Sequence, residues 1–191
     1  MRLAIVATTL ALCCGVAAAQ TSDRVTPDDN AVVAAVLEDL LAYRGKDSPL
    51  DGPFGPSTPL PLMRKPLRGP VSMSSGGNAC GIEDKPWRTL TETQQRATEH
   101  AARHLERRAP HASGLWDIAM PNVTLHDERP RNELGLQGGI DVSLPGYSAG
   151  ERIAVVLVTM PWSIHSAIGT YVLRHNDDGW SVLLRRYAYT M

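Results

Sequence analysis

Apolar and polar positions recur along this chain with two different periods, and the first period predicts helices. Between residues 27 and 43 the apolar side chains return every three or four positions, which is typical of an amphipathic helix with one buried stripe. Thr26 precedes this segment as a candidate N-cap, and Pro27 suits the first helical position. Gly45 is expected to end the helix. The stripe needs a partner surface.

Residues 91–108 form a second predicted helix. Thr91 and Gln94 have the spacing of a capping box, and Pro110 follows the far end. The few apolar positions on its core side are Ala97, Ala101 and Leu105. Charged pairs at i,i+4 spacing occupy much of the rest, as on a solvated face. We therefore expect this helix to pack lightly.

From about residue 120 the period falls to two, which predicts strands. The predicted strands are residues 122–126, 139–144, 152–160, 168–175 and 180–189. The third is apolar on both faces, as in a central strand, and the NDDG sequence between the last two favours a hairpin turn. The predicted fold class is α+β, with a C-terminal antiparallel β-meander packed against the amino-terminal helix.

A segment rich in proline, glycine and serine connects the two helices. Residues 45–86 contain eight prolines, each of which removes a backbone donor, so regular ladders are not expected through PFGPSTPLPLMRKPLRGP. We expect an extended or polyproline-like course on the surface. It is interpreted as a passive strap over the core or, alternatively, as a peptide-like recognition loop.

The amino terminus predicts export. Residues 1–19 have the layout of a secretory signal peptide, with Arg2, an apolar run and small residues before Gln20. An uncleaved anchor and a lipoprotein are the alternatives. Cleavage would leave residues 20–191 as a single domain in the periplasm or outside the cell, without a membrane span.

The net charge and the cysteine content limit which classes of partner and which disulfides are expected. The whole chain has a formal charge of −1, so neither nucleic acid nor an anionic membrane is an expected partner. After cleavage only Cys80 remains, so no internal disulfide can form. Cys80 is expected to be buried and inert or to pair between chains. As a nucleophile it lacks a positive neighbour to lower its pKa.

The sequence GYSAG, residues 146–150, fits the spacing of a serine-hydrolase nucleophile elbow. Such an elbow places its serine between a strand and a helix. Here β-branched residues follow at once, and Glu151 is the single acid between Ser148 and His175. We therefore predict a turn between two strands, with no catalytic residue in it.

Two histidines on the second helix are the candidate metal ligands. His100 and His104 stand at i,i+4, a spacing that zinc sites use. The metalloprotease pattern needs a glutamate directly after the first histidine, and this chain has Ala101 there. Solvated helix histidines are the alternative interpretation.

Three residues in the aromatic-rich carboxyl-terminal part are the candidate binding residues. Trp162 and His165 lie in a connection between two predicted strands, where functional groups are frequent, and Tyr171 lies on the next strand. No carboxylate is near His165 in sequence to orient it.

The segment from VSLPGYSAGERIAVVLV to GTYVLRHNDDGWSVL resembles the closing meander of small secreted proteins of Gram-negative bacteria that have no established activity. Those proteins share a Gly–aromatic–Ser turn, an apolar strand, a G-x-Y-x-L strand and a Gly-Trp-x-Val strand. Many carry Cys-Gly pairs where this chain has MPWSIHSAI. The resemblance implies the meander and the envelope location, and it transfers no functional residues.

The functional hypothesis is non-enzymatic binding of a protein or small ligand in the cell envelope, without a cofactor. No acid, base and nucleophile converge in the sequence, whereas a long connection and an aromatic-rich sheet offer binding surfaces. The alternative is a small periplasmic hydrolase or metal-binding protein. It would use His100, His104 or His165, with a carboxylate from residues 117–133.

Overall fold

A computed structural model describes residues 23–42, 59–69, 87–131, 138–150, 152–162 and 165–190. Side chains at positions 161, 162, 165, 166, 189 and 190 lie outside this description, as do the predicted signal peptide and Cys80. The helices are α1 (Pro27–Ala42) and α2 (Glu92–Arg108), with a 3-10 turn at Ala109–His111. The strands are β1 (Leu60–Met63), β2 (Val123–His126), β3 (Asp141–Val142), β4 (Gly146–Tyr147), β5 (Ile153–Trp162), β6 (His165–Asn176) and β7 (Gly179–Thr190).

The three longest strands form an antiparallel meander. β5 pairs with β6 and β6 with β7, while β3 and β4 both pair with the other edge of β5. β1 and β2 form a separate parallel pair, which adjoins the large sheet through a bridge from Leu62 to Ile140. This arrangement confirms the predicted α+β class with its carboxyl-terminal meander.

The central strand β5 supplies apolar side chains to both faces of the sheet. Ala154, Val156 and Val158 belong to a buried cluster with α1, whereas Val155 and Leu157 belong to a second cluster with α2. Alternation of side chains along a strand requires this division. The sheet is therefore covered by one helix on each face, and not by the amino-terminal helix alone.

The helix α1 begins with reciprocal capping bonds. The Thr26 hydroxyl accepts a hydrogen bond from the Asp29 backbone N–H at 3.2 Å, and the Asp29 carboxylate accepts from the Thr26 N–H at 2.9 Å. Thr26 is thus confirmed as the N-cap. Further along the helix, Asp39 accepts a hydrogen bond from Arg185 of β7 at 2.6 Å.

A buried ion pair joins the two helices. The two terminal guanidinium nitrogens of Arg108 donate to the two oxygens of Asp29 at 3.0 Å, and both side chains are almost fully buried. Arg108 also donates to the Pro145 carbonyl at 2.6 Å, and the Tyr147 hydroxyl donates to Asp29 at 2.8 Å. The pair is therefore supported by additional hydrogen bonds, as a buried charge pair requires.

The capping box at Thr91 and Gln94 is confirmed, but the prediction that α2 packs lightly is wrong. Ala101, Ala102 and Leu105 are buried against the sheet. At Gly146 of β4, an added Cβ would lie 2.1 Å from the Ala101 carbonyl oxygen. The small residues of α2 permit this close approach, so a helix with few large apolar residues still packs tightly.

The proline-rich segment contributes a strand, which corrects the expectation that no ladder forms within it. β1 lies inside residues 45–86 and pairs with β2, and both Leu60 and Leu62 are buried in the core. Pro61 lacks an N–H, but its carbonyl accepts a hydrogen bond from Ile140 at 2.7 Å. This part of the segment is therefore core structure and not surface strap.

Candidate functional site

Ser148 lies in the turn between β4 and β5, as the sequence predicted. Its hydroxyl accepts a hydrogen bond from the Ile153 N–H at 3.1 Å, and its own N–H donates to the Ile153 carbonyl at 2.9 Å. The side chain is only 5% exposed, and a strand follows in place of a helix. Ser148 closes the turn and lacks the setting of a nucleophile.

An open cleft of about 1010 Å³ lies at the end of the sheet that holds this turn. We call it the sheet-end cleft. Because the meander is antiparallel, the β4–β5 turn and the β6–β7 turn meet at the same end, and the first turns of α2 form the third wall. It is lined by Thr93, Gln94, Ala97, Ser148, Ala149, Gly150, Arg152, Ile153, Arg174, His175, Asn176 and Asp177.

Two arginines give the sheet-end cleft its charge. Arg152 and Arg174 are both exposed, and neither forms an ion pair with any residue that the structure describes. His175 follows Arg174 in the chain, and its backbone N–H donates to the Arg152 carbonyl at 2.9 Å. Asp177 is the one acidic residue in the described lining. The described side chains therefore favour an anion in the cleft.

A smaller depression of about 250 Å³ adjoins the sheet-end cleft on the α1 side of the sheet. We call it the aromatic groove. Its lining consists of Asp28, Tyr147, Gly150, Arg152, His175 and Trp180. The Trp180 ring lies 5.9 Å from that of Tyr147 and 5.0 Å from that of His175, measured between centroids. Gly150, Arg152 and His175 line both depressions, so the two adjoin at these residues.

His100 and His104, the predicted metal ligands, both lie against the backbone of Tyr147. The Tyr147 N–H donates to His104 Nδ1 at 2.9 Å, and His100 Nδ1 lies 3.3 Å from the Tyr147 carbonyl oxygen. Burial, followed by the charge of Arg108, lowers the pKa of His104. No group of three or more metal-ligating side chains occurs within the described ranges. The pair acts in docking α2 to β4.

The predicted binding residues lie away from the cleft. Trp162, the last residue of β5, pairs with His165, the first residue of β6, at the end of the sheet opposite the cleft. Their side chains are outside the described part of the chain. Tyr171 is fully buried, and its hydroxyl shares a hydrogen bond with that of Tyr187. Burial raises the pKa of Tyr171. Tyr171 is therefore a core residue in this structure, and its role in binding stays a prediction.

Sequence reasoning missed the residues that line the two depressions, namely Arg152, Arg174, His175 and Trp180. A signal for them existed. Arg152 follows one predicted turn, whereas Arg174, His175 and Trp180 flank another. In an antiparallel meander, alternate turns lie at the same end of the sheet. Polar and aromatic residues beside those turns were therefore candidates for one site.

Comparison with known proteins found no matching family model, no matching curated protein and no matching solved structure. Within the described ranges, no helix has both the length and the apolar character needed to cross a membrane.

Proposed function

We propose that this protein binds an anionic ligand in the sheet-end cleft without transforming it chemically. The observation that carries the proposal is the presence of Arg152 and Arg174, exposed and without an ionic partner among the described residues, in one cleft of about 1010 Å³. A guanidinium presents a planar fork of donors that matches carboxylate and phosphate oxygens. A ligand with either group would find complementary donors from Arg152, directly before β5, and from Arg174 on β6.

Binding without catalysis is supported by the state of the candidate catalytic groups. The Ser148 hydroxyl already accepts a hydrogen bond from the backbone, and His104 Nδ1 does the same. His175 lies edge-on to the Trp180 ring, with 78° between the ring planes. These contacts position the side chains structurally, whereas a nucleophile and its base would need to face each other.

The proposal includes export to the cell envelope, which rests on the pattern of residues 1–19. The same pattern places the cleavage site before Gln20. Amino-terminal sequencing of the protein recovered from an envelope extract is expected to begin at Gln20. Recovery of the intact leader in the cytoplasmic fraction would contradict this part of the proposal.

Anion binding is tested by calorimetric titration of the purified protein with inorganic phosphate and with acetate at low ionic strength. We expect binding of at least one of these anions, and added salt should weaken it, because the arginines are exposed. The double variant Arg152→Gln/Arg174→Gln should weaken binding about tenfold or more.

The matched control is the double variant Arg103→Gln/Arg107→Gln, which removes two positive charges from the exposed side of α2, outside the cleft lining. Its affinity is expected to equal that of the unmodified protein. Equal losses in the control and in the cleft variants would indicate a diffuse charge effect. That outcome, or the absence of binding for both anions, would contradict the proposed function.

A further inference from the structure

We infer that the ligand is an acidic sugar, whose carboxylate or phosphate lies in the sheet-end cleft and whose ring lies in the aromatic groove. The inference rests on the proposed function, since it assigns the neutral part of the same ligand. It is carried by the composition of the aromatic groove and by the three residues that the groove shares with the cleft.

The two depressions differ in charge, and this difference orients the ligand. Arg174 and Asp177 line only the sheet-end cleft, whereas Asp28 lines only the aromatic groove, and Arg152 lies between them as part of both. The described lining therefore has two guanidinium groups and one carboxylate in the cleft, against one of each in the groove. An anionic group is attracted to the two arginines and repelled by the carboxylate of Asp28. The uncharged part of the ligand is therefore placed in the aromatic groove.

Asp28 also determines which uncharged groups fit there. An ionised carboxylate only accepts hydrogen bonds, so its best partner is a group that donates them, such as a hydroxyl. Asp28 is exposed in the first turn of α1. A hydroxyl-bearing ring satisfies it, whereas a purely aromatic ring has nothing to donate.

The apolar component of the aromatic groove is the indole of Trp180, supported by Tyr147. Trp180 is partly exposed and packs against the ring of Tyr147, whose hydroxyl is fixed by Asp29. A pyranose has both hydroxyls around its rim and an apolar face of C–H groups. It can therefore cover the indole and reach Asp28 at once, and burial of the C–H face is favourable.

The size of the aromatic groove fits one ring. At about 250 Å³ it lies below the range of whole ligand pockets, about 300–1,000 Å³. The sheet-end cleft, at about 1010 Å³, has room for the anionic group and for more of a larger molecule. The groove therefore acts as a subsite for one sugar unit, next to the anion site.

The test compares matched probes by calorimetric titration of the full chain. D-glucuronate is paired with acetate, and D-glucose 6-phosphate with inorganic phosphate; D-glucose and benzoate test the ring and an aromatic anion separately. We expect at least one sugar anion to bind about tenfold more tightly than its bare anion, because the ring adds buried apolar contact and hydrogen bonds. The sugar anion with the higher affinity identifies the anionic group of the ligand as a carboxylate or as a phosphate.

The variant Trp180→Ala should remove the advantage of the sugar anion over its bare anion, and its far-UV circular dichroism spectrum checks that the variant is folded. Trp180→Phe keeps an aromatic face and should retain part of the higher affinity for the sugar anion. Equal affinity for sugar anions and bare anions would overturn the inference while leaving the proposed function intact. Preference for benzoate would also overturn it. If no anion binds, both proposals fail.

Discussion

The two helices cover opposite faces of the same sheet by different means. α1 presents a stripe of large residues, including Leu37 and Leu40, all fully buried. α2 buries Ala101, Ala102 and Leu105, so its contribution depends less on apolar area than on closeness to β4 at Gly146. A sparse apolar stripe therefore does not imply a weakly packed helix when the facing strand carries glycine.

The ion pair that joins the two helices is expected to be the contact most sensitive to substitution. The variant Arg108→Met leaves the carboxylate of Asp29 buried without its cationic partner, and we expect a loss of about 3–5 kcal/mol in the free energy of unfolding. Urea unfolding followed by circular dichroism measures the loss.

Arg103→Met on the exposed side of α2 is the control and should change stability by less than about 0.5 kcal/mol. Adding Asp29→Asn to Arg108→Met should recover part of the loss, because the uncompensated charge is then gone. A cost below about 1 kcal/mol for Arg108→Met would show that the pair does not hold the helices together.

A second variant perturbs the α2 face alone. In Gly146→Ala the new Cβ would lie 2.1 Å from the Ala101 carbonyl oxygen and 2.4 Å from the Leu105 nitrogen, so α2 must move away from β4. We expect a loss of about 2–3 kcal/mol in urea unfolding.

Gly179→Ala provides the matched control, because its Cβ would meet no atom within 4 Å and only the positive φ of +107° is strained. It should cost about 1 kcal/mol. If both alanine variants lose the same stability, close packing of α2 is not what Gly146 provides.

The smallest expected effect is a pH dependence on the α2 face. The pKa of His104 is lowered by burial and by Arg108, with Arg107 and His100 adding to the effect and the backbone bond to Tyr147 opposing it. Asp29, bound to Arg108 and to the Tyr147 hydroxyl, is the acidic group on the α1 side. The pKa of His104 is lower in the folded protein than in the unfolded chain. The contribution of His104 to the free energy of unfolding is therefore fully present when the pH is above the unfolded-state pKa. It is lost as the pH falls through the unfolded value towards the folded-state pKa.

Nδ1 of His104 now accepts a hydrogen bond from the Tyr147 N–H, and protonation of Nδ1 would abolish that bond. Acidification should therefore lower the free energy of unfolding by about 1 kcal/mol. The check is the change in unfolding free energy between about pH 7.5 and about pH 5. His104→Gln offers an acceptor that does not titrate and should show a smaller change. An identical change in both proteins would assign the acid sensitivity to other groups.

Local signals predicted the elements well. The cap at Thr26, the box at Thr91 and the NDDG hairpin turn each act within a few residues, so the sequence displays them directly. β1 was missed because its partner strand begins at Val123, far along the chain, and this non-local pairing outweighs the local effect of Pro61.

The candidate site was not predicted because its residues are brought together by the topology. Arg152 and His175 lie in different segments, and their proximity follows only from pairing β5 with β6. The tight packing of α2 was missed for a similar reason. It depends on Gly146, which belongs to a strand that the helix sequence does not reveal.

The buried carboxylate of Asp29 has a consequence for the order of folding. Its partners Arg108 and Tyr147 lie 79 and 118 positions further along the chain. Contacts over such separations close late, because loop closure must come first, whereas the β6–β7 hairpin needs only its own two-residue turn. We expect the carboxyl-terminal ribbon to nucleate the structure. The first helix, although it is synthesised earliest, would be the last element to settle.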